Sequence, residues 1–297
     1  MPTGIIVINK PRGLTSNGTL QRVRKAFGAK SAGHVGTLDP MATGMLPLCL
    51  DEATKVIAEV ESGGKCYEFT VELGARTDTG DAEGEVVERQ PVPALDAAGV
   101  EAALAGFRGI QQQVPPMYSA QKREGRPLYE LARKGIEVER AARTIEIRRL
   151  ELVALRDAAI DLVCECAKGT YIRVLGEDIA RSLGTLGHLT RLHRAWVEPF
   201  QDLPMHSLEA ALVCAQNGGQ NLLPADAALQ GLPQAWLADE QVSALRHGQA
   251  VLAACRPDAQ PGKRVRLYGP AGAFLGLAEV LPGGWLQPRR LILADAT

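Results

Sequence analysis

Residues 33–44 read GHVGTLDPMATG. The stretch sets one carboxylate, Asp39, between a glycine-bearing run and a proline, and Asp39 is the first acidic residue in the chain. Every charged residue before it is basic: Lys10, Arg12, Arg22, Arg24, Lys25 and Lys30. The whole chain carries 33 basic and 34 acidic residues, so this segregation is local. Two chemistries fit the pattern. An Asp beside Gly and Pro forms turns by accepting backbone N–H groups. A carboxylate on a tight loop also serves as a nucleophile or general base. Gly33, Gly36 and Gly44 allow backbone to pass close to a ligand. The flanking cations would give an anionic substrate its attracting field.

Outward from this loop the elements follow from periodicity. GIIVINK is an apolar run ended by Lys10-Pro11-Arg12-Gly13, which predicts a strand and a turn. Ser16 is placed to cap a helix running to Phe27, with Leu20, Val23 and Phe27 on one face and Arg22, Arg24 and Lys25 on the other. MLPLCLDEATKVIAEV reads as a strand or turn entering a helix. KCYEFTVELGART alternates, with Tyr67, Phe69, Val71 and Leu73 on one strand face. DTGDAEGEVVER reads as a solvated hairpin, and residues 96–108 as a helix. Residues 114–143 form a long basic excursion opened by Pro115-Pro116. TIEIRRLELVALR and AAIDLVCECAKGTYIRV read as a strand pair, and LGEDIARSLG as a helix. Beyond residue 231, short apolar runs separated by Gly and Pro predict a small all-β module.

The chain of 297 residues is 46% hydrophobic and 23% charged, which places it among globular proteins with a substantial core. Its formal net charge of −1 does not announce a polyanion partner, but the distribution does. Bases gather at 10–30, 122–149 and 168–194, while acids gather at 78–101. That segregation suggests a polyanion surface on one side, and solvated helix faces are the alternative. The six cysteines, Cys49, Cys66, Cys164, Cys166, Cys214 and Cys255, have neither zinc spacing nor the density of a disulfide framework. Cys164 and Cys166 share one strand face and read as packing residues. The N-terminus lacks a basic segment followed by an apolar one, and no apolar run approaches the ~20 residues of a membrane span. A cytoplasmic protein in a reducing compartment, bound to no membrane, is the expectation.

Aromatic residues make up only 4% of the chain, so the tyrosines near charged motifs are informative. In KGTYIRV, Tyr171 and Arg173 stand at strand spacing and would point the same way. They are either an edge-strand pair or a base-stacking ring beside a carboxylate partner. Tyr67 shares a face with core residues and reads first as packing. His34 would satisfy a turn, and His188 and His193 flank Leu189 and Leu192. No His, Asp and Glu set has metal-ligand spacing, and SGGK at 62–65 is no phosphate loop.

These motifs, in this order, resemble a known family. GHVGTLDPMATGMLPLCLDEATK closely resembles the signature of the bacterial TruB tRNA pseudouridine-55 synthases. INKPRGLTSN resembles that family's N-terminal basic motif, and KCYEFTVELGARTDTGDAEG its tyrosine motif. QVPPMYSAQKREGRPLYELARKGIEVER resembles its RNA-gripping insert, and KGTYIRVLGEDI and GHLTRLHR its two later motifs. The terminal module looks like the family's PUA-type RNA-binding domain. One departure stands out: Leu192-His193-Arg194 replaces the usual Leu-Arg-Arg.

The resemblance implies an α+β fold, a mixed and largely antiparallel sheet flanked by helices, with a small C-terminal β-barrel of PUA type. It implies a catalytic domain over 1–231, carrying the insert at about 114–143, and an RNA-binding domain over 232–297. It implies that Asp39 is the nucleophile, that His34, Tyr67, Tyr171 and Leu192 line the uridine pocket, and that Arg173 pairs with Asp39. The implied partner is the T stem-loop of tRNA, met by a monomer that needs no protein partner, no cofactor and no metal. Attack at C6, attack at C1′ and abstraction of a sugar proton all remain open for Asp39. Three other readings compete: a non-catalytic RNA-binding protein, a guide-dependent relative acting within a ribonucleoprotein, and a cofactor-free hydrolase of a small substrate.

Overall fold

The computed structural model describes residues 3–119, 122–123, 125–132, 134–253 and 260–292. Strand β1 (Gly4–Lys10) is buried at every position except Asn9, so its apolar run is covered on both faces. Helix α1 (Ser16–Phe27) buries Leu20 and Val23. Its cap is Thr15, whose hydroxyl accepts from the Gly18 N–H at 2.9 Å. Ser16, expected in that role, is instead buried against the following loop. β2 (Ala32–His34) and β3 (Thr43–Leu50) follow, with α2 (Ile57–Val60) beyond a 3-10 turn over Asp51–Val56.

β4 (Lys65–Leu73) carries the alternation read from the sequence. β5 (Ala75–Thr77) and β6 (Val86–Arg89) pair as a hairpin. The hairpin is only half solvated, contrary to expectation. β6 is exposed, but Thr77 and Asp81 are buried. Backbone bonds from Leu189 N–H to the Gly80 carbonyl (3.0 Å) and from Ala82 N–H to the Leu189 carbonyl (2.8 Å) stitch the turn to the sheet. The buried Asp81 carboxylate accepts from the Thr79 hydroxyl at 2.8 Å, which offsets its loss of water.

α3 (Ala97–Ala105) is capped by Asp96, and β7 (Gly109–Gln113) leads into the insert. The insert holds β8 (Lys122–Arg123), β9 (Arg126–Pro127) and α4 (Leu128–Ala132). The parts of that basic stretch at 120–121, 124 and 133 lie outside the described residues. β10 (Arg143–Arg156) and β11 (Ala159–Cys166) form the expected antiparallel pair. Cys164 and Cys166 are buried on one face, as read; Cys255 lies outside the described residues. α5 (Ile172–Ser182), β12 (Gly187–Val197), β13 (His206–Ser207) and α6 (Leu208–Gln216) complete this part.

Among the described residues, nine strands form one sheet in the order β13-β1-β3-β12-β4-β11-β10-β7, with β2 also on β3. Only β1–β13 and β3–β12 are parallel, so the sheet is mixed and largely antiparallel. The parallel β3–β12 contact joins His193 to Thr43 and Arg194 to Gly44, which brings the Asp39 loop beside the GHLTRLHR segment.

β14 (Gln234–Trp236), α7 (Asp239–Arg246), β15 (Val251–Leu252), β16 (Arg264–Tyr268), β17 (Phe274–Val280) and β18 (Trp285–Leu291) follow. Their five strands run β14-β16-β17-β18-β15 around a core that includes Leu245, Val265, Leu267 and Leu286. Two expectations are corrected here. The module is not all-β, because α7 turns Val242 and Leu245 onto the sheet. Nor is it a closed barrel among the described residues: β14 and β15 are unpaired edges of three and two residues, too short to close a ladder. The module is not loosely tethered. Leu277 is fully buried in a cluster with Ile5, Val7, Val56 and Val60, and Lys55 Nζ donates to the Leu291 carbonyl at 2.7 Å. Among the described residues, no helix is long and apolar enough to cross a membrane.

Candidate active site

The Asp39 loop, between β2 and β3, is held by groups from β1 and α1. Ser16 Oγ accepts from the Leu38 N–H at 2.8 Å and lies 3.0 Å from the Leu38 carbonyl, to which it donates. Lys10 is fully buried at the end of β1, and its ammonium donates to the carbonyls of Leu14 (2.6 Å), Pro11 (2.9 Å) and Pro40 (3.2 Å). Burial lowers its pKa to about 8, against the raising influence of Asp39. The turn itself is closed by backbone, from Ala42 N–H to the Asp39 carbonyl at 3.1 Å. The Asp39 side chain is therefore not spent on making the turn.

Its carboxylate faces Arg173 instead. Arg173 Nε donates to Oδ2 at 2.9 Å and Nη2 to Oδ1 at 3.2 Å, a two-pronged pair that fixes the plane of the carboxylate. Nη1 donates to the Thr79 carbonyl at 2.8 Å and Nη2 also to the Tyr118 carbonyl at 2.6 Å. Asp81 Oδ2 lies 3.7 Å from Nε, so one buried guanidinium stands between two carboxylates. Burial pushes the Asp39 carboxyl above its ordinary range, Arg173 opposes that shift, and Asp81 adds to it. The carboxylate stays about a third exposed (34%), toward the cavity, while Arg173 is at 6%.

That cavity has a volume of about 540 Å³ and is walled by Tyr67, Tyr171 and Leu192, with Asp39 and Arg173 among its lining groups. Its size falls within the ~300–1,000 Å³ usual for small-ligand sites. Tyr67 is both core and site. It belongs to the buried cluster that holds Phe69 and Leu192, and its hydroxyl meets the fully buried Arg194 guanidinium. Burial raises its pKa to about 12 against the lowering influence of Arg194, so the hydroxyl stays protonated. Arg194 in turn donates to the carbonyls of Met45 (2.7 Å) and Gly36 (3.0 Å), tying β12 to both sides of the Asp39 loop. Gly44, at φ +103°, is required here, since a Cβ would collide with the Arg194 carbonyl.

Tyr171 and Arg173 do meet at the cavity, but not at strand spacing. α5 begins at Ile172, so Tyr171 is its N-cap and Arg173 sits in its first turn. The helical run Ile172, Leu175 and Ile179 buries one face, a period that the short stretch KGTYIRV does not distinguish from a strand. His34 stands apart: it lies on β2 with Nδ1 buried and unpartnered, and it does not line the cavity. Burial, then Arg194, keeps its imidazole below the ordinary pKa. His193 is 2.8 Å from the Thr43 hydroxyl through Nδ1, so its ring is bonded to β3. Sequence reasoning missed Lys10, Ser16, Asp81 and Arg194 around the site, because each meets a partner far away in the chain: Pro40, Leu38, Arg173 and Gly36 respectively.

Comparison with known proteins identifies the family. Residues 24–172 match the TruB family pseudouridylate synthase (N terminal domain), and residues 233–292 match Pseudouridine synthase II TruB, C-terminal. The tRNA pseudouridine synthase B of Chromohalobacter salexigens is 48% identical over 291 residues, covering 97% of this chain and 94% of that protein. Its counterpart from Aromatoleum aromaticum is 46% identical over 297 residues, covering 99% of this chain and 94% of that protein. Among solved structures, a Cbf5-Nop10-Gar1 complex aligns with a TM-score of 0.71 at 23% identity, covering 94% of this chain and 78% of that one. An H/ACA RNP bound to a substrate RNA containing 2′-deoxyuridine aligns with a TM-score of 0.73 at 20% identity, covering 99% and 86%. At those identities the structural likeness speaks for the fold alone. Two matched segments in chain order and near-full-length identity close to one half are decisive: the chain belongs to the TruB family of pseudouridylate synthases.

Proposed function

We propose that this enzyme isomerises uridine-55 in the TΨC loop of tRNA to pseudouridine, with Asp39 as the nucleophile and no cofactor. The observation that carries the reading is the Arg173 fork on Asp39 at a cavity walled by two tyrosines and a leucine. The reaction breaks the N1–C1′ bond of the uridine, turns the base and joins C5 to C1′. C5 gives up its proton and N1 gains one, so substrate and product are isomers and no redox partner enters. The target base is stacked in the folded loop and must be flipped out, at a cost of a few kcal/mol. Tyr171 and Leu192 replace part of that lost stacking. Arg173 holds Asp39 ionised against its burial and orients both oxygens. The Tyr67 hydroxyl, protonated and beside the cavity, is placed to relay the proton that leaves C5.

The same reading assigns 1–231 to catalysis, with the insert at about 114–143 closing on RNA, and 232–297 to a PUA-like RNA-binding role played by an open sheet. The partner is the T stem-loop of tRNA, engaged in the cytoplasm by a monomer that requires no protein partner. The absence of acids before Asp39 fits this function, since carboxylates there would repel the RNA backbone. Incubation with an unmodified tRNA transcript, followed by mapping of pseudouridine, tests the proposal. Pseudouridine at position 55 is the expected result. Tight tRNA binding with no pseudouridine would instead identify an RNA-binding protein without catalysis.

A further inference from the structure

The side-chain amide of Gln113 closes a ring on the backbone of Tyr171. Its Oε1 accepts from the Tyr171 N–H at 2.8 Å, and its Nε2 donates to the Tyr171 carbonyl at 3.1 Å. The two residues are 58 positions apart, so this is a tertiary contact and not a local turn. Gln113 is buried, so water cannot readily replace either bond. The Tyr171 N–H is one of the donors a helix N-terminus leaves without an intrahelical acceptor. The Tyr171 carbonyl already accepts from Leu175 N–H at 3.0 Å, and Gln113 takes its second lone pair. Both polar groups of one peptide residue are thus spoken for by one rigid amide plane.

The consequence lies in the ring. Two residues before Tyr171, Gly169 adopts φ +89°, and Thr170 between them ties back through its hydroxyl to the Ala167 carbonyl at 3.1 Å and to Cys166. The ring lines the cavity from a backbone held at φ −98° and ψ 107°, and Gln113 grips both polar groups of that residue. Gln113 is also the last residue of β7, opposite Arg143 of β10. The insert leaves the sheet directly after Gln113 and rejoins it at Arg143, so the grip on Tyr171 comes from the root of the insert.

We infer that Gln113 is a positioning residue for the isomerisation, aiming the Tyr171 ring at the flipped base and linking that aim to the seating of the insert. This rests on the reading of Tyr171 as the base-stacking ring. The test uses full-length Gln113→Ala, Gln113→Glu, Tyr171→Ala and the double variant Gln113→Ala/Tyr171→Ala, each checked for folding by thermal melting. Glu keeps the shape and the acceptor for Tyr171 N–H, but sets a second oxygen against the Tyr171 carbonyl.

Both Gln113 variants are expected to lower the single-turnover rate on tRNA by about ten-fold or more, with tRNA affinity changed by less than about three-fold. In the Tyr171→Ala background, Gln113→Ala is expected to add less than about two-fold, because the ring it positions is already gone. A wild-type rate in a folded Gln113 variant overturns the inference. So does a full, multiplicative loss in the Tyr171→Ala background, which would show that Gln113 acts through Arg173 or the fold. A wild-type rate in Tyr171→Ala itself would overturn the stacking reading, and the inference with it. Should Gln113→Ala fail to fold, Gln113→Glu and a double variant built on it carry the same comparison.

Discussion

Arg173 donates to the Tyr118 carbonyl at 2.6 Å through Nη2, the same nitrogen that reaches Asp39 Oδ1 at 3.2 Å. Tyr118 lies at the start of the insert, just after Pro115-Pro116, where the chain has little backbone freedom. One guanidinium therefore spans the proposed nucleophile and the segment proposed to grip RNA. Its third nitrogen, Nη1, donates to the Thr79 carbonyl, so three separate stretches of chain meet on Arg173. A shift of the insert must be felt at the carboxylate, because packed donors of this kind do not deform continuously.

Arg173→Lys tests that hub. A lysine keeps the charge but is a compact point donor, unable to hold two carboxylate oxygens and two carbonyls in one plane. The single-turnover rate should fall by about 100-fold, the scale of loss for a group misplaced by about 1 Å. Stability should fall by about 1–3 kcal/mol, as the Thr79 and Tyr118 carbonyls lose a buried donor. Thermal melting and quenched-flow turnover measure the two effects. An active lysine variant would show that charge alone suffices and that the fork is incidental.

The pH profile follows from burial at Asp39. The folded protein holds this proton more tightly than the unfolded chain, whose carboxyl titrates near 3.8. Folding stability from this group therefore falls as pH rises from about 3.8 through the raised folded value. Turnover has the opposite dependence, because the nucleophile must be ionised. The acid limb of the single-turnover rate should have its midpoint above the ordinary carboxyl value of 3.8. Asp81 contributes to the elevation, so Asp81→Asn should move that limb to lower pH, whatever it does to the maximal rate. A limb displaced upward would contradict the assignment of that limb to Asp39.

What the sequence disclosed, and what it hid, divides along distance in the chain. The alternation of Tyr67, Phe69, Val71 and Leu73 and the apolar face of α1 are local periodicities, and the structure keeps both. The motif order carried Asp39, Tyr67, Tyr171, Arg173 and Leu192, and these do converge on one cavity. His34 does not line that cavity, although the same signature contains it. Lys10 and Ser16 gave no signal, because a strand-end lysine and a helix-start serine read locally as a charge and a cap. Only the tertiary approach of the Asp39 loop makes them ligands of its backbone. The DTGDAEG turn misled for the same reason. Its composition is that of a solvated loop, and what buries Asp81 is its pairing with Leu189, which the chain supplies over a hundred residues later.

Leu277 provides a stability test of the C-terminal module. It belongs to that module's central strand, yet it is fully buried in the cluster around Ile5, Val7 and Val56. Leu277→Ala should cost about 2–5 kcal/mol, the range for deleting a buried leucine side chain. The loss should appear as one lowered melting transition of the whole chain, because the side chain bridges the two sheets. Arg264 of the module also lies 3.6 Å from Glu59, and the neighbouring Ala58, Glu61 and Ser62 line the cavity. Removing the module should therefore slow turnover at saturating enzyme as well as weaken tRNA binding. A truncated protein with an unchanged single-turnover rate would show that the cavity rim stands without that support.

Asp39→Asn is the most discriminating substitution in the molecule. The turn that carries residue 39 is closed by Ala42 N–H and held by Ser16 and Lys10 on the flanking backbone, so it does not need the carboxylate. Asn keeps the side-chain shape and can still accept one bond from Arg173. Its amide nitrogen then opposes a guanidinium donor, which is unfavourable, while the cost of burying a charge at this position disappears. Asp81, 3.7 Å from Arg173 Nε, still neutralises the arginine. These opposing effects should leave the melting temperature within a few degrees of wild type, since about 1 kcal/mol moves it by roughly 2–4 °C in a chain of this size. Affinity for tRNA should stay within about three-fold, because the RNA contacts proposed for the insert and the basic faces are untouched. Pseudouridine formation should vanish, since no other carboxylate among the cavity-lining groups stands where Asp39 does and a lost nucleophile has no partial substitute. The assay is release of tritium from C5-labelled uridine in tRNA, run beside filter binding and a melting curve. Deamidation of the new Asn would restore Asp and give a slow trace of activity, so Asp39→Ala belongs in the same experiment. Tritium release at a wild-type rate by freshly purified Asp39→Ala would remove Asp39 from the chemistry and return it to the loop as a structural residue.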